Sequence, residues 1–147
     1  MSEPFNPDAY GIDTLGVRAG TLRTGEFMEH SEAMYLTSSF CFNSAAEAAA
    51  RFANSEEGYT YSRFTNPTVS MFQSRLAALE GAEACMATAS GMSAILSVAL
   101  ATLQAGDHLV SSRSIFGSTM TLFNSILAKF GVETTYVDGT DLAAWRA

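Results

Sequence analysis

The sequence has 147 residues, of which 48% are hydrophobic and 16% are charged. This apolar fraction excludes wholesale disorder, and the length suits one ordinary domain or a part of a larger one. Fifteen acidic residues against eight basic ones give a net charge of −7, which argues against nucleic acid as the main binding partner.

The N-terminus has neither the cationic start nor the apolar run of a secretory signal. The longest apolar segment, residues 92–103, is too short to span a bilayer. Two cysteines and two isolated histidines give no four-ligand metal pattern. We therefore expect a cytoplasmic protein with no metal site and no membrane partner.

Residues 1–60 are predicted to form an N-terminal arm that ends in one short helix. Little hydrophobic periodicity is sustained before residue 44, although residues 35–42 suit a short extended segment. The alanine-rich stretch 45–52 predicts a helix, with Asn43 or Ser44 as its cap. An arm with so little core of its own is expected to pack on something else.

Residues 61–147 show the alternation that is typical of an α/β sheet. Asn66-Pro67 predicts the start of a helix that ends at Gly81. Three strands and two helices then alternate, at residues 84–89 (strand), 92–104 (helix), 107–111 (strand), 119–130 (helix) and 132–137 (strand). This order predicts a parallel-rich sheet flanked by helices. The helix at 92–104 is apolar on most sides, so we expect it to be deeply buried.

The turn at Ser90-Gly91-Met92 follows a predicted strand and opens a predicted helix. Backbone N–H groups are unpaired at a helix start, the helix dipole adds positive charge there, and glycine lets a ligand approach closely. The pattern suits a phosphate site, and a serine-capped helix with no ligand is the alternative.

Two further segments carry candidate binding residues. Tyr61 and Arg63 are two positions apart in a polar loop, so in an extended chain both would face one oxyanion; a solvated loop arginine is the alternative. Phe116 follows the second strand and would stack on a flat ligand, unless it is a plain core residue.

In this order, the segments YSRFTNPT (61–68), ATASGMSAI (87–95) and FGST (116–119) resemble the Cys/Met-metabolism family of pyridoxal-phosphate (PLP) enzymes. The resemblance begins near TLGVRAG (14–20) and runs through nearly the whole chain. It implies the aspartate-aminotransferase-like fold of the PLP fold-type I enzymes, with an intersubunit arm at 1–60 and the first part of the large PLP-binding domain at 61–147.

The resemblance also implies a role for each candidate residue. Gly91 and Met92 would offer backbone amides to the phosphate of PLP, with Ser90 beside them. Tyr61 and Arg63 would bind the same phosphate from the partner subunit of a homodimer or homotetramer. Phe116 stands where many members have a tyrosine stacked on the pyridine ring, so stacking would be kept and the phenol lost.

The implied activity is a γ-replacement that makes homocysteine from O-succinylhomoserine and sulfide, in methionine biosynthesis. Condensation with cysteine, or γ-elimination, is the alternative within the family. A non-catalytic α/β chain that binds phosphate or joins oligomers is the alternative from another class. The missing phenol at Phe116 weakens the γ-elimination reading and is compatible with replacement.

The single lysine of the chain, Lys129, belongs to a predicted helix end, where a basic residue is favourable. The resemblance places the Schiff-base lysine and the other catalytic groups beyond Ala147. Residues 141–147 look like the first turn or two of a helix whose end nothing caps, so we expect the domain to continue. We therefore expect no catalytic residue in this chain and no activity from it alone.

Overall fold

The computed structural model describes residues 6–22, 26–27 and 29–146. The chain divides into two compact units, Met1–Ala87 and Thr88–Ala147. Parts of the predicted arm, at residues 1–5, 23–25 and 28, lie outside the described residues. The boundary at residue 60 between an arm and an α/β part stays a prediction.

Three α-helices form the described frame of the first unit: α1 at Ile12–Arg18, α2 at Ala45–Phe52 and α3 at Pro67–Glu80. A short 3₁₀ turn at Pro7–Ala9 precedes them. The sequence predicted α2 and α3 but missed α1. Seven residues make only about two helical turns, and Gly16 interrupts the apolar pattern, so the periodic signal is weak.

The ends of α2 and α3 confirm the predicted caps. Ser44 Oγ accepts a hydrogen bond from the Glu47 N–H at 3.1 Å at the start of α2. Asn66 Oδ1 accepts one from the Thr68 N–H at 2.9 Å, and Pro67 occupies the first helical position of α3. Gly81 ends α3 in the left-handed conformation, with φ of 64°. These local rules are enough to place both helices.

The segment after α1 docks on α3 through one arginine. Arg75 Nε donates to the carbonyl oxygen of Ala19 at 2.9 Å, and Arg75 Nη2 donates to Thr21 Oγ1 at 3.1 Å. The same guanidinium forms an ion pair with Glu32. The network therefore joins three residues of the arm, Ala19, Thr21 and Glu32, to one side chain of α3. Of these, Ala19 is buried.

We predict that Glu32 makes the stability of the first unit depend on pH. The Arg75 hydrogen bond, followed by a backbone hydrogen bond, lowers the pKa of Glu32 from 4.5 to about 2. A lowered folded-state pKa gives stability that is full above pH 4.5 and is lost as pH falls towards 2. Each pKa unit corresponds to about 1.4 kcal/mol, and solvent screens a part-exposed pair, so we expect a loss of about 1–3 kcal/mol.

Urea unfolding at pH 7 and pH 3 measures this effect. Glu32→Gln should lose less stability between the two pH values than the parent chain does. Glu83→Gln is the matched control, because Glu83 is an exposed carboxylate for which the structure describes no ion pair. Equal pH dependence in all three proteins would show that the Glu32 pair contributes nothing.

The second unit is α/β, as predicted. It contains α4 at Gly91–Thr102, β1 at His108–Ser112, α5 at Gly117–Thr121 and β2 at Glu133–Val137. The two strands are parallel, in a register that pairs His108 with Glu133 and Ser112 with Val137. Helix α5 continues through a π-helical turn at Leu122–Ile126 and a 3₁₀ turn at Leu127–Phe130.

The core of the second unit lies between α4 and the helical run that follows β1. Its buried members are apolar: Ala99, Leu122, Phe123, Leu127 and Val132. Leu127 is the most completely enclosed, at 1% exposure. Because both strands and both helical elements contribute to this cluster or pack against it, the cluster fixes how the helices lie on the sheet.

Two predictions for the α/β part of the chain are wrong. Residues 84–89 form no strand of the described sheet; the Ala87 N–H bonds instead to the side chain of Gln73, at 2.8 Å. Helix α4 is not deeply buried: Ala99 is its one buried residue, and Val98 is 64% exposed. A two-stranded sheet covers only one face of α4, so its other apolar faces stay exposed among the described residues.

The last described segment of the chain has turns and no assigned helix. Residues 142–146 form hydrogen-bonded turns, with Asp141 Oδ1 accepting from the Ala143 and Ala144 N–H groups. The sequence predicts the first turn or two of a helix here, and the described residues form turns without an assigned helix. Within the described ranges, every helix is too short or too polar to cross a membrane.

Candidate functional site

The turn at Ser90-Gly91-Met92 opens a helix capped by Ser90, as the sequence predicts, although the residues before it form no strand of the described sheet. Ser90 has extended dihedral angles and caps α4, with its Oγ accepting from the Ser93 N–H at 3.1 Å. The Ser90 carbonyl oxygen accepts from the Ala94 N–H at 3.0 Å, which is the first main-chain hydrogen bond of the helix. The N–H groups of Gly91 and Met92 have no acceptor among the described residues. Two donors are therefore available to an external anion.

The space around Gly91 suits a phosphate. A Cβ added to Gly91 would meet no atom within 4 Å, so the protein leaves this approach open. The positive end of the dipole of α4, a helix of 12 residues, adds favourable charge at the same point. Donor chemistry, charge and access agree, so the residues fit the phosphate of PLP.

The parallel order places this turn at one edge of the sheet. Helix α4 precedes β1 and packs against it, so the start of α4 lies at the edge where β1 ends. Helix α5 starts at the same edge, after a connection of four residues that follows β1. Ligands of open α/β sheets bind at this carboxyl edge.

Phe116 also lies at this edge, immediately before α5. Its side chain is 73% exposed, so the core-residue alternative is wrong. Thr119 Oγ1 donates to Met92 Sδ at 3.8 Å, which brings the start of α5 against the first turn of α4. The structure therefore places four of the predicted residues together: Ser90, Gly91, Met92 and Phe116.

Lys129 lies at the opposite edge. It is two residues before Gly131, whose carbonyl oxygen accepts from the Gly106 N–H at 2.9 Å, just after α4 ends. A helix of 12 residues is about 18 Å long, so Lys129 is separated from the Ser90 turn by the length of α4. Its amine has no access to a ligand at that turn.

The other two predicted residues lie in the first unit and contact each other. The guanidinium of Arg63 lies 5.6 Å from the ring centre of Tyr61 and 4.7 Å from that of Phe64. The loop does not have the extended geometry that would make both side chains face one oxyanion: residues 62–64 form a turn, closed by the Phe64 N–H donating to the Tyr61 carbonyl oxygen at 2.9 Å. The turn brings the pair together by stacking rather than by strand alternation.

The loop that carries Tyr61 and Arg63 is held by its neighbours in the first unit. Ser39 pairs with Tyr61 in an antiparallel bridge. Asn66 Nδ2 donates to the Tyr35 carbonyl oxygen at 3.1 Å and to Ser62 Oγ at 3.0 Å. The sequence predicted Asn66 only as a helix cap, because contacts 31 residues apart leave no local signal.

Arg63 is available to an anion. The structure describes no ion pair for its guanidinium within residues 6–22, 26–27 and 29–146. It lines a cavity of about 420 Å³ together with Tyr61 and the rings of Phe40 and Phe64. Among these described residues there is also no group of three or more metal-ligating side chains. The chemistry on offer is therefore anion binding and ring stacking.

Comparison with known proteins places these residues in a recognised family. The family model described as "Cys/Met metabolism PLP-dependent enzyme" matches residues 13–147. The O-succinylhomoserine sulfhydrylase of Pseudomonas aeruginosa is 56% identical over 136 residues, which cover 92% of this chain and 34% of that protein. An L-methionine gamma-lyase of Fusobacterium nucleatum is 42% identical over 133 residues, which cover 90% of this chain and 33% of that protein.

A solved structure agrees with the fold. A putative O-acetylhomoserine (thiol)-lyase of Campylobacter jejuni, described with a pyridoxyl-lysine phosphate, superposes with a TM-score of 0.85 at 31% identity. The match covers 93% of this chain and 34% of that structure. The chain thus spans about a third of the length of the relatives it matches.

Proposed function

The chain belongs to the Cys/Met-metabolism family of PLP-dependent enzymes, and we propose that its second unit provides the phosphate and ring contacts of a PLP site. The observation that carries the proposal is the start of α4, where two unpaired N–H groups and an open approach over Gly91 coincide. The exposed ring of Phe116 at the same edge supports it.

Each residue has a distinct task in this proposal. The Gly91 and Met92 N–H groups donate to phosphate oxygens, and the dipole of α4 stabilises the negative charge. Ser90 holds the turn in shape through its cap. Phe116 stacks on the ring and, having no hydroxyl, moves no proton. PLP, when bound, supplies an electron sink for carbanions at the substrate carbon.

Tyr61 and Arg63 are proposed to complete the phosphate site from a second copy of the protein. A guanidinium binds phosphate through two parallel hydrogen bonds, so its orientation decides its affinity. The rings of Tyr61 and Phe64 hold the guanidinium in that orientation and, being uncharged, do not neutralise it. The acidic arm is proposed to be the segment that reaches the neighbouring copy.

For the whole enzyme we propose γ-replacement of O-succinylhomoserine by sulfide. The Cγ–O bond breaks and releases succinate, and a Cγ–S bond forms to give homocysteine. The relative at 56% identity supports this choice, and so does a ring contact that lacks a phenol. The relative named as a methionine gamma-lyase keeps γ-elimination as the second candidate.

We predict that the enzyme that contains this chain, given O-succinylhomoserine and sulfide, releases homocysteine and succinate in equal amounts. Product analysis with sulfide, with cysteine and with no added nucleophile tests the prediction. Faster formation of cystathionine with cysteine, or of 2-oxobutyrate and ammonia with no nucleophile, would contradict it. The 147-residue chain alone is the matched control and should form no homocysteine, because its one lysine lies at the wrong edge.

A further inference from the structure

Thr119 is a buried polar residue of the FGST segment to which the sequence analysis gave no role of its own. It is 7% exposed, and its hydroxyl has one described partner, Met92 Sδ, at 3.8 Å. Burying a hydroxyl is costly unless it is bonded, and a thioether sulfur is only a weak acceptor. Valine has the same shape and would fill this position without the polar cost. The hydroxyl therefore contributes a directional hydrogen bond to the contact and no additional packing volume.

The contact joins the two halves of the candidate site. On one side, the Thr119 N–H donates to the Phe116 carbonyl oxygen at 2.9 Å, which fixes the backbone that carries the ring. On the other side, Met92 provides one of the two unpaired N–H groups at the start of α4. Thr119 is thus bonded both to the residue that presents the ring and to the residue that presents a phosphate donor.

We propose that Thr119 is a positioning residue that aligns the Phe116 ring with the phosphate turn at Ser90-Gly91-Met92. The inference rests on the proposed function, because it assumes a ligand with both a ring and a phosphate. Methionine is unbranched and has three rotatable bonds, so its side chain takes several arrangements unless a partner selects one. The Thr119 hydroxyl selects the arrangement that holds α5 at a defined place against α4.

Thr119→Val tests the inference because it keeps the shape and removes the donor. The test uses the cofactor-free form of the enzyme that contains this chain. Two probes are titrated: pyridoxine 5′-phosphate, which has ring and phosphate but no aldehyde, and inorganic phosphate. Thr119→Val should weaken pyridoxine phosphate about threefold to tenfold, the equivalent of one net hydrogen bond, and leave inorganic phosphate unchanged.

Two further variants test whether the effect comes from the contact between Thr119 and Met92. Thr119→Ser keeps the hydroxyl and should restore the affinity for pyridoxine phosphate. Met92→Leu removes the acceptor at similar volume, and its effect should not add to that of Thr119→Val, because both remove one contact. Thermal unfolding of each variant accompanies the titrations. A merely structural role would lower the unfolding temperature and weaken both probes alike.

The possible outcomes separate this inference from the proposed function. Equal weakening of both probes by Thr119→Val overturns the positioning role, and so does no weakening of either. In those cases Gly91→Ala still weakens both probes if the phosphate site is correct. If Gly91→Ala affects neither probe, the phosphate site is wrong and the positioning role is wrong with it.

Discussion

Gly20→Ala should destabilise the first unit by about 2–5 kcal/mol, the sum of two separate penalties. The residue has φ of 71°, a left-handed conformation that costs an alanine about 1–2 kcal/mol. A Cβ there would also lie 2.7 Å from the Met71 carbonyl oxygen and 2.8 Å from Ser74 Cβ. The backbone of α3 cannot yield to it, so the docked segment has to move away.

Gly81→Ala is the matched control for this substitution. Gly81 has φ of 64°, and a Cβ there would meet nothing within 4 Å, so only the conformational penalty applies. We expect it to cost about 1–2 kcal/mol, measured as the free energy of unfolding in urea. Equal losses in the two variants would show that the close approach of Gly20 to α3 has no energetic weight.

The contact between Gly20 and α3 lies within the network that Arg75 forms with the arm. Ala19 and Thr21 flank Gly20 and are two of the three residues that Arg75 binds, so displacement of the backbone at Gly20 should also strain those bonds. Arg75 and Met71 belong to α3, which begins at Pro67 next to the loop of Tyr61 and Arg63. Helix α3 therefore holds the docked segment of the arm and also begins next to the loop that carries Tyr61 and Arg63.

Local chemistry made the helix ends, including the turn at Ser90 that opens α4, predictable from the sequence. Ser44, Asn66 and Ser90 each cap a helix through a side chain that bonds two or three residues ahead. Such contacts are encoded within one turn, so the sequence is enough to find them. The same holds for β1 and β2, which are short segments bounded by Gly106, Gly131 and Gly139.

Contacts between distant segments could not be predicted in the same way. The Thr119–Met92 contact spans 27 residues and the Arg75–Ala19 contact spans 56. The apolar run at 84–89 has the composition of a strand, but a strand also needs a ladder partner, which a run of residues does not specify. The exposure of Val98 likewise depends on what covers α4, not on the pattern of α4 itself.

Gly91→Ala should abolish most of the affinity for the cofactor phosphate without harm to the fold. Gly91 lies in α4 at ordinary helical angles, and nothing within 4 Å would meet the added Cβ, so stability should stay level or rise slightly. The methyl group would instead occupy the approach of a phosphate to the two free N–H groups. We expect the affinity for pyridoxine 5′-phosphate to fall at least about tenfold, or about 1.4 kcal/mol.

Gly16→Ala controls for the substitution itself. Gly16 is likewise helical and has open space around it, and it belongs to α1 in the first unit. This variant should bind the probe as the parent protein does. Thermal unfolding of both variants checks that any loss of binding comes from the site and not from the fold.

The central claim is that the start of α4 holds the phosphate of PLP, and one titration tests it most directly. Pyridoxine 5′-phosphate is titrated into the cofactor-free parent enzyme, Gly91→Ala and Gly16→Ala under identical conditions. The account predicts a loss of at least about tenfold in Gly91→Ala alone, at an unchanged unfolding temperature. Parent-like affinity in Gly91→Ala would contradict it.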